Sequence, residues 1–504
     1  MRNRRVIPIL AAASALLMLT ACAPDRTQVT PSEMPTAAPT EAGFDAYAQT
    51  LEWSTCGSLQ CADVRVPLDW TNPSGESITL KINKLPAKGE AKGALLINPG
   101  GPGGSGLDFT EYFGVSAGED LLKAYDVIGF DPRGVGSSTP IDCGDAQTVD
   151  AYVVTDFPLE TEADVAAANQ RNEDFAKGCQ DRTGALIANV DTVSAARDMD
   201  VIRALVGDEK LNYLGFSYGT QLGATYAELY PDHVGQMALD GAVDFLLPSD
   251  DQAAGQAAGF ENALTNFVTW CAKESTCHLD KNPDAAKKQI HDIAFNAIAH
   301  PVSGNGIKVN GNLMTYGIVV TLYDEASWPY LEQGLNEVID QNTATIMAQL
   351  ADFYLDRDVE TGEYLTNSTV AFTAISCLDD SDQTVWDLST VDAFRAKMEQ
   401  ASPTFGWWFA ASTGCSQWPF EAHQTVDSLS KAASASPILV VGTTNDPATP
   451  YQWAKNLTDE LGNATLLTYD GEGHTAYGRS NQCIIDAVDG WLVDGTMPRS
   501  GTVC

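Results

Sequence analysis

Three residues of this chain are equipped for chemistry together: Ser217, Asp446 and His474. Ser217 stands in Gly215-Phe216-Ser217-Tyr218-Gly219, and a Gly-x-Ser-x-Gly run puts a serine on a tight strand-to-helix turn with its hydroxyl held in the open. A serine hydroxyl becomes a nucleophile only beside a base, and the chain has six histidines. His474, in the glycine-flanked turn Asp470-Gly471-Glu472-Gly473-His474-Thr475, is the best placed; His233, His278, His291, His300 and His423 read as ordinary surface or core residues. The base in turn needs a buried carboxylate to orient it and to stabilise its cation, and Asp446 lies in the loop Thr443-Thr444-Asn445-Asp446-Pro447-Ala448-Thr449-Pro450. Such a set attacks carbonyl carbon and passes through an acyl intermediate.

The elements that must hold these residues are legible around them. Leu211-Asn212-Tyr213-Leu214 reads as a short buried strand before the serine, and Thr220-Gln221-Leu222-Gly223-Ala224-Thr225-Tyr226-Ala227 as a closely packed helix after it. Pro437-Ile438-Leu439-Val440-Val441-Gly442 has the composition of a buried parallel strand ending at the Asp446 loop, and Ala464-Thr465-Leu466-Leu467-Thr468-Tyr469 leads to His474. The chain order Ser, Asp, His selects the α/β-hydrolase fold and differs from the orders of the chymotrypsin and subtilisin folds. A further strand, Ala94-Leu95-Leu96-Ile97-Asn98, ends in Pro99-Gly100-Gly101-Pro102-Gly103-Gly104-Ser105-Gly106. That loop is expected to give one oxyanion donor, the N–H of Gly101 or a neighbour, with the N–H of Tyr218 as the other. It lacks the lysine ending of a phosphate-binding loop and the spacing of a dinucleotide site.

The expected organisation is a lipoprotein signal peptide over residues 1–22, a flexible tether over 23–45, a first core part over 46–244, a mainly helical cap over 245–433 and a last core part over 434–504. Arg2, Arg4 and Arg5 precede an apolar run over residues 6–19, and Leu19-Thr20-Ala21-Cys22 resembles a lipobox, which implies a lipid on Cys22 and a membrane anchor. The tether is rich in Pro, Thr, Ala and Glu without periodic apolar positions. In the core, Arg65-Val66-Pro67-Leu68-Asp69-Trp70 and residues 78–85 read as a strand pair, residues 192–206 as the helix before the nucleophile strand, and 236–241 as the strand after it. Buried strands alternating with helices require a mostly parallel sheet with helices on both faces, and the cap then falls between core strands six and seven. Helical patterns over residues 252–273 and 285–298 mark it, with aromatics such as Trp328, Tyr330, Trp407, Trp408 and Phe409 that line a cleft or pack its core.

Charge and cysteine narrow the setting. With 67 acidic against 29 basic residues the net charge is −38, which excludes nucleic acid as a partner and favours cationic peptides by long-range steering. Ten cysteines besides Cys22 suggest five disulfides in an oxidising compartment, and proximity pairs Cys56 with Cys61, Cys143 with Cys179, Cys271 with Cys277, Cys377 with Cys415 and Cys483 with Cys504. No metal-site spacing occurs, and the chemistry needs no cofactor.

Taken together, these motifs resemble the secreted tripeptidyl aminopeptidases and the related proline iminopeptidases. The specific pieces are Asn98-Pro99-Gly100-Gly101-Pro102-Gly103-Gly104-Ser105-Gly106, Asp131-Pro132-Arg133-Gly134, the Ser217 turn, Asp446-Pro447-Ala448-Thr449-Pro450 and Gly473-His474-Thr475-Ala476-Tyr477-Gly478. Where the iminopeptidases begin the glycine loop with histidine this chain has Pro99, which leans towards the tripeptidyl branch. The resemblance implies removal of short peptides from free amino termini, with Ser217 as nucleophile, His474 as base and Asp446 as its orienting acid. An exopeptidase must bind a cationic amino terminus, and Asp379 and Asp380, beside Cys377, are favoured for this over Asp324 and Glu325. The alternatives are a secreted carboxylesterase or lipase-like hydrolase and, in another class, a non-catalytic peptide-binding surface lipoprotein.

Overall fold

A computed structural model describes Ala38–Pro39 and residues 44–504 apart from 158, 381–384, 412–413 and 417. The signal peptide, Cys22 and all but the end of the tether lie outside the described residues. The strands are β1 (Ala38–Pro39), β2 (Ser54–Cys56), β3 (Leu59–Pro67), β4 (Glu76–Leu85), β5 (Ala94–Asn98), β6 (Asp126–Phe130), β7 (Leu211–Phe216), β8 (Val234–Asp240), β9 (Val302–Gly304), β10 (Ile307–Val309), β11 (Ile438–Asn445) and β12 (Ala464–Glu472). All but β9 and β10 form one sheet in the order β12-β11-β8-β7-β5-β6-β4-β3-β2, with β1 beside β4. From β6 to β12 every pairing is parallel, whereas β2, β3, β4 and β6 pair antiparallel.

The parallel strands are near-continuous apolar runs because helices cover both faces. Successive side chains leave opposite faces of the sheet, so Leu96, Ile128, Tyr213, Met237 and Val440 join one buried cluster while Leu95, Ile97, Val127, Leu214 and Val441 join another. The strand pair read from residues 65–70 and 78–85 is β3 and β4, and the helix before the nucleophile strand spans Thr192–Val206, ending at the left-handed Gly207. Parallel pairing brings the carboxyl ends of β5, β7, β8, β11 and β12 to one edge of the sheet.

Between β8 and β11 runs an insertion of helices that includes Ser249–Cys271, Pro283–Ala299, Gly311–Leu322, Trp328–Gln341 and Thr345–Tyr354. These bury their own core around Phe267, Leu331 and Met347. The insertion is nevertheless not one body: Ala371, Ala374 and Leu378 of the helix Ser368–Asp379, with Trp418, Leu429 and Ala432, pack into the main core. All five disulfides have the pairing expected from proximity. The last residues return to β12: Thr468 donates to Thr502 O at 3.1 Å, and Cys504 N–H donates to Thr468 O at 2.8 Å. Among the described residues no helix is long and apolar enough to cross a membrane.

Candidate active site

Ser217 sits between β7 and the helix Tyr218–Leu229 with φ 54° and ψ −125°, a conformation that a non-glycine residue holds only when its surroundings impose it. Those surroundings are visible. Its N–H donates to Asp240 O at 2.9 Å, and its carbonyl accepts the N–H and hydroxyl of Thr220 at 2.8 and 2.6 Å. Gly215 must lack a side chain, since a Cβ there would lie 2.3 Å from Gly219 O. The turn is thus tied to the neighbouring strand β8 and to its own helix.

His474 stands just beyond β12, and its Nδ1 lies 2.9 and 3.0 Å from the two carboxylate oxygens of Asp446. An Nδ1–H donated to that carboxylate leaves the Nε2 lone pair as the base. The Asp446 carboxylate is buried, and it also accepts the N–H groups of Ala448, Thr449 and Thr475 and the hydroxyl of Thr449. Thr449 Oγ1 lies 3.3 Å from His474 Nδ1 as well. Ser217 and His474 both border one step of chain: Asp240 O holds the Ser217 N–H, and a Cβ on Gly241 would approach His474 Cε1 to 3.3 Å.

Asp240 is a second buried carboxylate at this edge, and the residues before it read only as a strand. It accepts the N–H groups of Ala476 and Tyr477, at 3.0 and 2.7 Å, and so fixes the backbone after His474 rather than its ring. Burial pushes its carboxyl up to about 6 against the pull of those two bonds. Tyr323 is another addition, contributed by the insertion: its carbonyl accepts the His474 N–H at 2.8 Å and its ring meets the imidazole edge-on at 5.4 Å. From Tyr323 a closed ring of aromatics runs through Tyr354, Tyr316, Trp408, Phe409 and Phe260. Trp408 and Phe409 therefore belong to a half-buried wall that reaches the histidine, whereas Trp328 packs on Phe267 and Trp270 in the core of the insertion.

The glycine loop lies over Ser217. A Cβ on Gly100 would come within 2.5 Å of Phe216 O, 2.8 Å of Ser217 Cβ and 3.2 Å of Tyr218 N. Gly100 donates its own N–H to Asn98 Oδ1 at 2.9 Å, which turns the loop towards Gly101. Asp131 anchors the far end of the loop by accepting the Ser105 hydroxyl at 2.6 Å and the N–H groups of Leu107 and Ser137; burial pushes its carboxyl up to about 6. Its motif partner Arg133 is wholly buried on Asp198 and on three backbone carbonyls, a structural role.

The acids weighed for the amino terminus separate in space. Asp379 Oδ1 and Oδ2 accept the N–H and hydroxyl of Thr192, while Asp380 ends the same helix, its N–H donated to Ser376 O. Asp324 and Glu325 border an open cavity of about 410 Å³ with Trp270, Trp328, Tyr469 and Arg479, which neither Ser217 nor His474 lines.

The chain is similar to several known proteins. Residues 402–504 match the model of a family described as TAP-like protein. Over 90% of its length the chain is 35% identical to the serine protease Hip1 of Mycobacterium tuberculosis, covering 91% of that protein. It is 33% identical to a tripeptidyl aminopeptidase of Streptomyces lividans over 92% of this chain and 87% of the other. A protein named carboxylesterase B from Mycobacterium tuberculosis is 35% identical over 92% and 91%.

Proposed function

Because the chain belongs to the TAP-like serine hydrolases of the α/β-hydrolase fold, we propose that it is an exported exopeptidase releasing short peptides, chiefly tripeptides, from free amino termini. The reading is supported by the Asp446–His474 pair, by the strained backbone of Ser217 and by the glycine loop packed on it. In the proposed reaction, His474 Nε2 takes the hydroxyl proton as Ser217 Oγ bonds to the scissile carbonyl carbon. The N–H groups of Tyr218 and Gly101 receive the oxyanion. As the C–N bond breaks, the imidazolium gives that proton to the leaving amine. Water, deprotonated by His474, then releases the peptide acid and restores Ser217. Asp380, at the carboxyl end of the helix Ser368–Asp379, is the proposed seat of the substrate ammonium, since both oxygens of its neighbour Asp379 already accept from Thr192.

A carboxylesterase is the second reading, favoured by the relative of that name. The two part on a single comparison. A tripeptidyl amide with a free amino terminus is expected to turn over at least about tenfold faster, by kcat/KM, than its acetylated form, since a partly desolvated charge contact is worth more than about 1.4 kcal/mol. Equal rates would remove the aminopeptidase reading and advance the esterase.

Five disulfides fit an oxidising compartment outside the cytoplasm. Attachment to the membrane through lipid on Cys22 is part of the proposal. Cys22→Ser protein is expected in the medium or unprocessed, and cell fractionation with mass spectrometry of the amino terminus reads the outcome. Correctly cleaved Cys22→Ser protein that stays on the membrane would refute the anchor.

A further inference from the structure

The helix Ser368–Asp379 lies in the insertion by sequence, yet it meets the reacting end of the molecule twice. At its start it closes on the glycine loop: a Cβ on Gly103 would lie 2.6 Å from Ser368 O and 3.0 Å from Phe372 N. At its end Asp379 accepts the Thr192 N–H at 2.9 Å and the Thr192 hydroxyl at 2.5 Å. The same hydroxyl lies 2.5 Å from the Tyr218 hydroxyl, and Tyr218 directly follows the nucleophile. Between these ends the helix is locked, its Ala371, Ala374 and Leu378 in the main core and its Cys377 bonded to Cys415.

We propose that Asp379 is a positioning residue for the oxyanion hole. Acting through Thr192 it fixes Tyr218, whose backbone N–H is one donor, while the helix that carries it fixes the glycine loop that supplies the other. The inference rests on the serine-hydrolase mechanism given above. It differs from an ammonium contact, which would act on substrate binding alone.

The chemistry of the three oxygens supports it. Thr192 and Tyr218 are buried at 3% and 5% exposure, so water does not compete for their hydroxyls. An ionised Asp379 has no hydrogen to give, so Tyr218 must donate to Thr192 and Thr192 to Asp379. Protonation reverses the sense: Asp379 donates to Thr192, which donates to Tyr218 and leaves the phenol hydrogen without this partner. Burial pushes the Asp379 carboxyl up to about 7, opposed by its two bonds from Thr192. The titratable groups facing it are Asp191, which raises it further, and Tyr218. The sense of the network therefore changes close to neutral pH.

The test uses the full chain with Asp379→Asn, Thr192→Val and Thr192→Ser. Each is assayed on a free-amine tripeptidyl amide and on p-nitrophenyl acetate, which has no amino terminus. Asp379→Asn and Thr192→Val are expected to lower kcat on both substrates by on the order of 10-fold to 100-fold, as small misplacements of catalytic donors do. KM should move less than about threefold, and Thr192→Ser should keep kcat within about threefold. The pH profile of kcat on p-nitrophenyl acetate should differ in shape near neutrality between wild type and Asp379→Asn. Full final labelling by a fluorophosphonate shows that Ser217 and the fold persist. A rise in KM confined to the free-amine substrate, with kcat kept, would overturn the proposal in favour of an ammonium contact. Equal losses in Thr192→Ser and Thr192→Val with incomplete labelling would overturn it in favour of a structural role. Activity surviving in Ser217→Ala would instead reject the underlying mechanism, and is read separately.

Discussion

Replacing Ser217 by alanine is expected to lower peptide turnover by on the order of 10⁴-fold or more while the protein stays folded. The side chain removed is one hydroxyl on a turn whose backbone is held by Asp240 O and Thr220, so the loss is chemical rather than structural. His474→Ala should act as strongly, because among the described residues His474 is the imidazole bonded to the Asp446 carboxylate. Asp446→Asn removes more than a charge. Its carboxylate receives three backbone N–H groups, a threonine hydroxyl and the imidazole, and an amide NH₂ in place of one oxygen would face a donor. The ring would then lose both its tautomer and its bearing. Because the three act as a unit, double variants should fall little further than Ser217→Ala alone. Steady-state rates with a fluorophosphonate titration of active sites make the measurement, and Ser217→Ala turnover above about a tenth of wild type would reject this nucleophile.

Gly100→Ala is expected to cost nearly as much, though Gly100 carries no reacting atom. Its φ of +99° is strained for any L side chain, and the new methyl would press on Phe216 O, Ser217 Cβ and Tyr218 N together. The loop must lift away from the nucleophile, which separates the two oxyanion donors. Loss of one such donor costs roughly 10²-fold to 10³-fold in kcat, and that is the range expected on peptide and ester alike. Gly57→Ala is the control, for it has positive φ (+58°) but open space around its Cβ, so it should keep full turnover. If Gly100→Ala retained more than about a third of wild-type kcat with a normal melting curve, the loop would have no part in the reaction.

What the sequence disclosed about this site followed from local pattern. The strands β5, β7 and β11 are buried on both faces and so read as apolar runs, β12 is a half-buried border strand with an apolar middle, and each ends in a turn that glycine or proline announces. Ser217, Asp446 and His474 stand in those turns. Thr449 was signalled only weakly: a carboxylate that accepts N–H groups two and three residues on is a common aspartate turn, and its threonine hydroxyl follows from that turn. Tyr323 and Asp240 carry no local mark at all. Their contacts to the histidine loop exist because an insertion folds back onto the strand ends and because β8 lies between β7 and β11. Asp379 shows the same limit more sharply. Its neighbourhood of acids suggested an ammonium partner, whereas its bonded partner, Thr192, is 187 positions away along the chain.

The two borders of the large sheet share a property that bears on survival outside the cell rather than on catalysis. A border strand offers unpaired N–H and C=O groups to any passing chain and invites fibrils or swapped dimers. Here one border is the three-residue β2, tied to β3 by Cys56–Cys61. At the other, β12 is met at Thr468 by the returning tail, which Cys483–Cys504 holds in place. Reduction would loosen both borders at once, so a reducing medium should expose the sheet to self-association before it dismantles the buried interior.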